Sequence, residues 1–363
     1  MRNVFKIAAA VATVAVVSAT AVHMLAPTSP TPPTLTVPVE ETAINSSGST
    51  VGISDSDIYG MSSDDVNHTF DLIAATGVRT VRVMMPWAGM EPNPGQYDWG
   101  QVDLIVDAAN ARGMSVMGTL VSAPGWAVAP GTPAVSSPPA SASTYADFAG
   151  AAAAHYAGRV SAYEIWNEPN AVISWTSGPQ GPEPGGKYAD MVKAAYPKIK
   201  AADGGAVVIA GVLCSVFSLG SLTVDPITFM KKLYAAGAGG SFDAVSFHPY
   251  QATTKFSAGG NLPNSPLRQV EAMHQVMADN GDGGKKIWAT EYGEATSQGD
   301  DAKQADYLTD FLTKWRTLSY AGPAYIYTTR DRNTGSSKAD DTYGLYRSDW
   351  TPKPGQAAVQ ALA

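Results

Sequence analysis

The stretch TVRVMMPWAGMEPNPGQYDWGQVDLIVDAANARGMSVMGTL, residues 80–120, decides the architecture. It opens with a β-rich run, Thr80–Met85, and closes with another, Ser115–Leu120. Between them, Gln101–Arg112 keeps Val102, Leu104, Ile105, Val106 and Ala109 near one face and stops at Gly113. That spacing predicts an amphipathic helix. Strand, helix and strand in this order predict two parallel strands joined by a right-handed crossover.

The same unit recurs along the chain. Further strand candidates are Val51–Ser54, Val160–Trp166, Val207–Leu213, Ala244–His248, Lys286–Glu291 and Ala324–Thr328. Helical stretches are expected at Ser63–Ala75, Ser143–Ala157, Lys187–Lys200, Pro226–Ala236, Leu267–Asn280 and Ala302–Leu318. Eight alternating units over this length predict a closed (β/α)8 barrel in a single domain. A doubly wound open sheet is the alternative, but no Gly-rich phosphate turn follows any of the strands.

Composition fits such a domain. The chain has 363 residues, 45% hydrophobic and 15% charged, with a formal net charge of −8. No Lys/Arg run exists, which argues against a nucleic-acid partner. The single cysteine, Cys214, excludes an intramolecular disulfide and reads as a small apolar residue at a strand end. Residues 1–26 carry Arg2 and Lys6, an apolar run from Ile7 to Val17, and an Ala19-Thr20-Ala21 cleavage site. They read as an export signal, with an uncleaved anchor as the alternative. Residues 27–49 are rich in Pro, Thr and Ser and read as a linker. The barrel is expected over 50–363. A secreted or envelope-associated monomer with no membrane span after cleavage follows from this reading.

The active site of such a barrel lies at the C-terminal ends of its strands. There the sequence places Arg82 toward the end of strand 2 with Trp87 just after it, Glu168 after strand 4, His248 at the end of strand 6 with Tyr250 beyond it, Glu291 on strand 7, and Tyr327 on strand 8. Two carboxylates at one mouth need a reason, because burying a charge without a partner costs several kcal/mol. Glycoside hydrolysis supplies one: it needs one protonated and one ionised carboxyl.

The runs Ile165-Trp166-Asn167-Glu168-Pro169-Asn170, Val245-Ser246-Phe247-His248-Pro249-Tyr250 and Trp288-Ala289-Thr290-Glu291-Tyr292-Gly293 resemble the motifs of clan A glycoside hydrolases. The trailing Asn170 makes the first run more similar to family 39 than to most of family 5. Tyr343-Gly344-Leu345-Tyr346 followed by Thr351-Pro352-Lys353-Pro354 resembles the segment that closes these barrels. The resemblance covers about residues 50 to 363. It implies that Glu168 is the acid/base and Glu291 the nucleophile of a retaining glycosidase acting on a carbohydrate without cofactor or metal. It also implies that Asn167 binds the sugar 2-hydroxyl, Arg82 keeps Glu291 ionised, Tyr250 hydrogen-bonds Glu291, and His248 lines the sugar site. Glu291 is then expected to be the more acidic carboxyl and Glu168 to have a raised pKa. The chain departs from the clan at strand 8, where Tyr327 stands in place of the usual sugar-stacking tryptophan.

Plainer readings compete with these. Glu164 shares a strand face with Glu168 by alternation, so spacing alone does not separate them. Glu294 reads as a loop charge and Glu91 as a loop cap. Trp87, Trp126 and Trp175 either stack on sugar or pack in loops, while Trp166 and Trp288 read as core. A metal at His248 lacks a second ligand at suitable spacing, and Asp340-Asp341 reads as a solvated turn. Lys286 begins its strand, the wrong end for a Schiff base. A catalytically silent carbohydrate-binding barrel is the rival to the hydrolase. Plant β-glucan or xylan and furanoside polymers of a bacterial envelope are the rival substrates.

Overall fold

The structure is a computed structural model that describes residues 43–176 and 185–363. Eight parallel strands close into a barrel in chain order. They are β1 (Val51–Asp55), β2 (Thr80–Pro86), β3 (Ser115–Val121), β4 (Ala162–Ile165), β5 (Val207–Cys214), β6 (Ala244–His248), β7 (Ile287–Tyr292) and β8 (Ala321–Tyr327). Helices α1 (Ser63–Ala75), α2 (Trp87–Met90), α3 (Gly100–Asn110), α4 (Ala142–His155), α5 (Gly186–Ala202), α6 (Pro226–Ala235), α7 (Pro266–Asp279) and α8 (Asp301–Trp315) follow their strands, and α9 (Pro354–Gln360) ends the chain. The expected (β/α)8 barrel is the fold. The sequence reading missed α2 and α9, which are too short to show a period.

Local chemistry places the helix starts. Ser62 caps α1 by accepting from the Asp65 N–H, and Asp64 and Asp65 sit in its positive first turn. Asp225 caps α6 by accepting from the Thr228 N–H, with Pro226 where a missing N–H costs nothing.

The barrel interior is layered. Met117, Ala162, Ile209, Ala244, Trp288 and Tyr325 form an apolar cluster of their own, separate from the shell between strands and helices. Two residues further along each of five of these strands stand Thr119, Glu164, Ser246, Thr290 and Tyr327. The period of two aims these at the same interior, one layer nearer the mouth. The lower layer is thus a plug and the upper one is polar.

The proposed leader, and residues 27–42 of the proposed linker, lie outside the described residues. Residues 43–49 lie within them, and Ile44 is buried against the apolar plug. Packing therefore begins ahead of Thr50. Among the described residues no helix is long and apolar enough to cross a membrane.

The C-terminal run locks the end of β8. The Lys353 ammonium donates to Asp331 Oδ1 at 2.7 Å and to the Thr342 carbonyl at 3.2 Å. The Gly344 N–H and the Thr334 hydroxyl donate to the same Asp331 carboxylate, at 2.9 and 2.8 Å. Both ionic side chains are fully enclosed. Removing one partner leaves the other charge buried and alone, which costs about 3–5 kcal/mol. Asp331→Ala is expected to lower the unfolding free energy by that amount in a urea titration. A loss under about 1 kcal/mol would show that water reaches Lys353 and the lock is idle.

Candidate active site

Arg82 organises the mouth. It stands near the start of β2, paired with Ser54 and Met117, not at the strand's end as expected. Its length carries the guanidinium up to the polar layer, where it is 1% exposed. Nε donates to Glu164 Oε2 at 2.6 Å, and Nη1 donates to Glu291 Oε1 at 2.5 Å and Ser54 Oγ at 3.1 Å. Nη2 donates to Asn167 Oδ1 at 2.7 Å. Because Oδ1 accepts from Arg82, Nδ2 is the donor end of that amide. Thr119 Oγ1 also donates to Glu164 Oε2, at 2.9 Å.

This separates the two carboxylates of the fourth segment. Glu164 lies on β4, inside the barrel and fully buried. The strand ends at Ile165, and Trp166 and Glu168 both adopt positive φ, +70° and +47°. Such backbone is costly for residues with a side chain and persists only where surroundings enforce it. The enforcement comes from β5. Its register shifts between Ala210 and Leu213, where Gly211 and Val212 have φ of +90° and +47°. The bulge turns the Val212 carbonyl to accept the Glu168 N–H at 2.9 Å. Tyr188 ties both pieces, donating to the Ile165 carbonyl at 2.7 Å and accepting from the Gly211 N–H at 2.9 Å. Asn170 completes the turn by accepting from Cys214 N and donating to the Cys214 and Val224 carbonyls. Cys214 is the buried end of β5, as its sequence suggested.

His248 joins the two sides. Its Nδ1 lies 2.9 Å from Glu168 Oε1 and 3.8 Å from Glu291 Oε2. Its Nε2 is held by Thr290 Oγ1 at 3.1 Å. The Tyr250 hydroxyl donates to Glu291 Oε2 at 3.0 Å. Tyr327 is half-buried at the end of β8, with Ser56 Oγ and Arg332 Nη2 each 3.2 Å from its hydroxyl. Tyr343 packs edge-on to both Tyr250 and Tyr327, at ring-centroid distances of 5.8 and 5.5 Å.

The electrostatics follow from these contacts. Burial alone would push the Glu291 carboxyl up, but the His248 and Arg82 charges and the Tyr250 and Arg82 hydrogen bonds outweigh it and hold it below its ordinary value. Burial would lower His248, yet Glu291 and Glu168 together raise it. Burial and the Glu291 charge push the Tyr250 phenol well up, so it remains a donor.

Some expected contacts do not reach the mouth. Trp87 is fully buried in α2, with its indole N–H donated to Glu91 at 2.7 Å and its ring stacked on Phe148. It offers no face to a sugar, contrary to expectation, because the chain turns helical directly after β2. Trp175 is likewise buried. Trp126 is half-buried and donates to the Glu91 carbonyl. Glu91 caps its loop, accepting also from the Gly95 N–H. Glu294 is a correction: it is buried, not a solvated loop charge, and is paired with Lys303 at 2.5 Å. Thr119, Glu164 and Thr290 hold the site from beneath. Their signal in the sequence was the period-two register shared with the inward positions. Among the described residues no group of three His, Cys, Asp or Glu side chains is placed to hold a metal ion.

A sequence model described as cellulase, glycosyl hydrolase family 5, matches residues 40–322. A family 39 glycoside hydrolase from the gut symbiont Bacteroides cellulosilyticus WH2 superposes with a TM-score of 0.71 at 22% identity, over 90% of this chain. This chain spans only 64% of that protein's length. A family 5, subfamily 18 protein from Streptomyces cattleya, in complex with Manβ1-4GlcNAc, superposes with a TM-score of 0.67 at 16% identity, over 86% of this chain and 79% of its own. An exo-β-1,4-mannosidase from Opitutaceae bacterium strain TAV5 does so with a TM-score of 0.59 at 16% identity, over 86% of this chain and 58% of its own. No curated protein sequence matches the chain.

Arg82 opposes the effect of burial on Glu291, so losing its charge must raise that carboxyl. In Arg82→Met, Glu291 is expected to titrate at a higher pH than in the parent, read by 13C NMR of its carboxyl carbon. An unmoved titration would assign the depression to His248 and Tyr250 alone.

Proposed function

The chain belongs to the cellulase family, glycosyl hydrolase family 5, and on that premise we propose that it hydrolyses glycosides by double displacement with retention of anomeric configuration. Glu291 attacks the anomeric carbon while Glu168 protonates the leaving oxygen. Glu168 then takes a proton from the water that releases the sugar. Nδ2 of Asn167 donates to the sugar 2-hydroxyl, and Tyr327 forms the floor beneath the ring.

One observation carries this reading. A single ring nitrogen of His248 lies 2.9 Å from Glu168 and 3.8 Å from Glu291. Carboxyls that share one nitrogen this closely suit the roughly 5–5.5 Å gap of a covalent intermediate better than the roughly 6.5–9.5 Å that admits a water between them. The depressed Glu291 carboxyl supports its role as the ionised partner.

Gluco-, xylo- and mannopyranosides are the first substrates to try, the last because two of the similar structures are named for mannosidase action or a mannose disaccharide. Arabino- and galactofuranosides follow. The leader-like composition of residues 1–26 supports a reaction outside the cytoplasm.

The test is the anomer of the first product, followed by proton NMR on whichever glycosides turn over. Retention is expected, and inverted product would overturn the mechanism. Glu168→Gln is expected to slow turnover by roughly 10²- to 10⁴-fold on poor leaving groups, and Glu291→Gln to abolish it. Full activity in either variant would remove that residue from its role, and a barrel that only binds sugar would show no turnover to lose.

A further inference from the structure

The loop after β5 is built unlike the rest of the rim. Phe217, Leu219 and Leu222 are 50%, 54% and 52% exposed. They are three of the six exposed large apolar side chains among the described residues. Their loop is ordered by its own bonds: Leu219 N–H to the Thr223 carbonyl at 3.0 Å, Leu222 N–H to the Leu219 carbonyl at 2.9 Å, and Thr223 Oγ1 to the Phe217 carbonyl at 2.5 Å. It is fastened to the turn that carries Glu168, since the Val172 N–H donates to the Leu222 carbonyl at 2.9 Å and the Val224 N–H to the Asn170 carbonyl at 2.8 Å. Half-buried Val172 and Ile173 continue the apolar character up to that turn.

The opposite rim is different in kind. There Arg332 holds Asp57 by two bonds of 2.6 Å and reaches the Tyr327 hydroxyl, with Ser56 beside it. One side of the mouth carries an ion pair and hydroxyls, and the other carries three exposed apolar side chains interleaved with Ser218 and Ser221.

We infer that the leaving group accepted past Glu168 is apolar, an alkyl chain or similar hydrocarbon, and that Phe217, Leu219 and Leu222 bind it. The inference rests on the assignment of Glu168 as the acid above. An acid must stand on the leaving-group side of the bond it breaks, so the loop tied to its turn faces the aglycone. A second sugar there would need partners for its hydroxyls, but the Leu219 and Leu222 N–H groups and the Phe217, Leu219, Leu222 and Thr223 carbonyls are already bonded, which leaves chiefly the hydroxyls of Ser218 and Ser221. It would also favour flat aromatic faces, whereas two of the three side chains are branched aliphatics. A hydrocarbon asks for neither.

The experiment compares methyl and octyl glycosides of each sugar that turns over. The two alcohols are similar leaving groups, so the ratio of their kcat/KM values reports binding beyond the glycosidic oxygen. About twofold per half-buried methylene, or about a hundredfold from methyl to octyl, is expected. In the triple variant Phe217→Ser, Leu219→Ser, Leu222→Ser the ratio is expected to fall to within a few-fold of one. Turnover with a flat ratio in the parent, or an oligosaccharide preferred over the octyl glycoside, would overturn the aglycone and leave the hydrolase standing. No turnover of any glycoside would overturn the hydrolase itself and this inference with it. Sedimentation adds one more outcome: a dimer that the triple variant abolishes would give the patch to a second copy of the chain and overturn the inference.

Discussion

A guanidinium enclosed in the barrel has to be neutralised, and the rest of the mouth is arranged around that need. Arg82 meets two carboxylates, Glu164 below and Glu291 above, and its remaining donors go to Ser54 and Asn167. Two carboxylates against one guanidinium leave a negative excess in a largely buried place. His248 lies beside that excess, and Glu291 and Glu168 raise its pKa against the effect of burial. The cluster therefore holds its charges collectively. Glu164 occupies one side of the guanidinium so that the other side, aimed at Glu291, has one orientation. A buried pair of this kind contributes little net stability, but it fixes geometry.

The layered interior shows how the barrel accommodates this. An apolar plug of Met117, Ala162, Ile209, Ala244, Trp288 and Tyr325 fills the lower end. The next inward positions along the strands are polar or charged. Water cannot reach the cluster from below, so its interactions are less screened than they would be in the open. The change from plug to site occurs within one step of the strand period.

Much of this was legible in the sequence, and the misses have physical causes. Strands and long helices declare themselves by period, which placed all eight strands to within a few residues. Spacing could not decide between Glu164 and Glu168, because alternation holds only while the chain stays extended. The backbone leaves that state at Trp166, where φ is +70°. Arg82 was misplaced at the strand end because sequence position says where a Cα stands, not where a long side chain reaches. Trp87 was expected at the mouth because a four-residue helix has no period to reveal it. The paired burial of Glu294 depends on Lys303, nine residues away on another element, and no local pattern announces that.

The bulge in β5 has a bearing on how this protein can change. One irregular peptide, at Gly211 and Val212, both shapes the strand and hands its carbonyl to Glu168. A side chain at 211 would crowd Val245 at 3.0 Å and the Ser246 carbonyl at 3.2 Å, so the irregularity is closed to ordinary drift. Downstream, the same strand feeds the loop bearing Phe217, Leu219 and Leu222, which is stitched back onto the turn that carries Glu168. Variation in that loop is mechanically geared to the position of Glu168. An insertion there would pull on the bonds that hold the Glu168 turn, whereas exchanging a solvent-facing side chain leaves those backbone bonds in place.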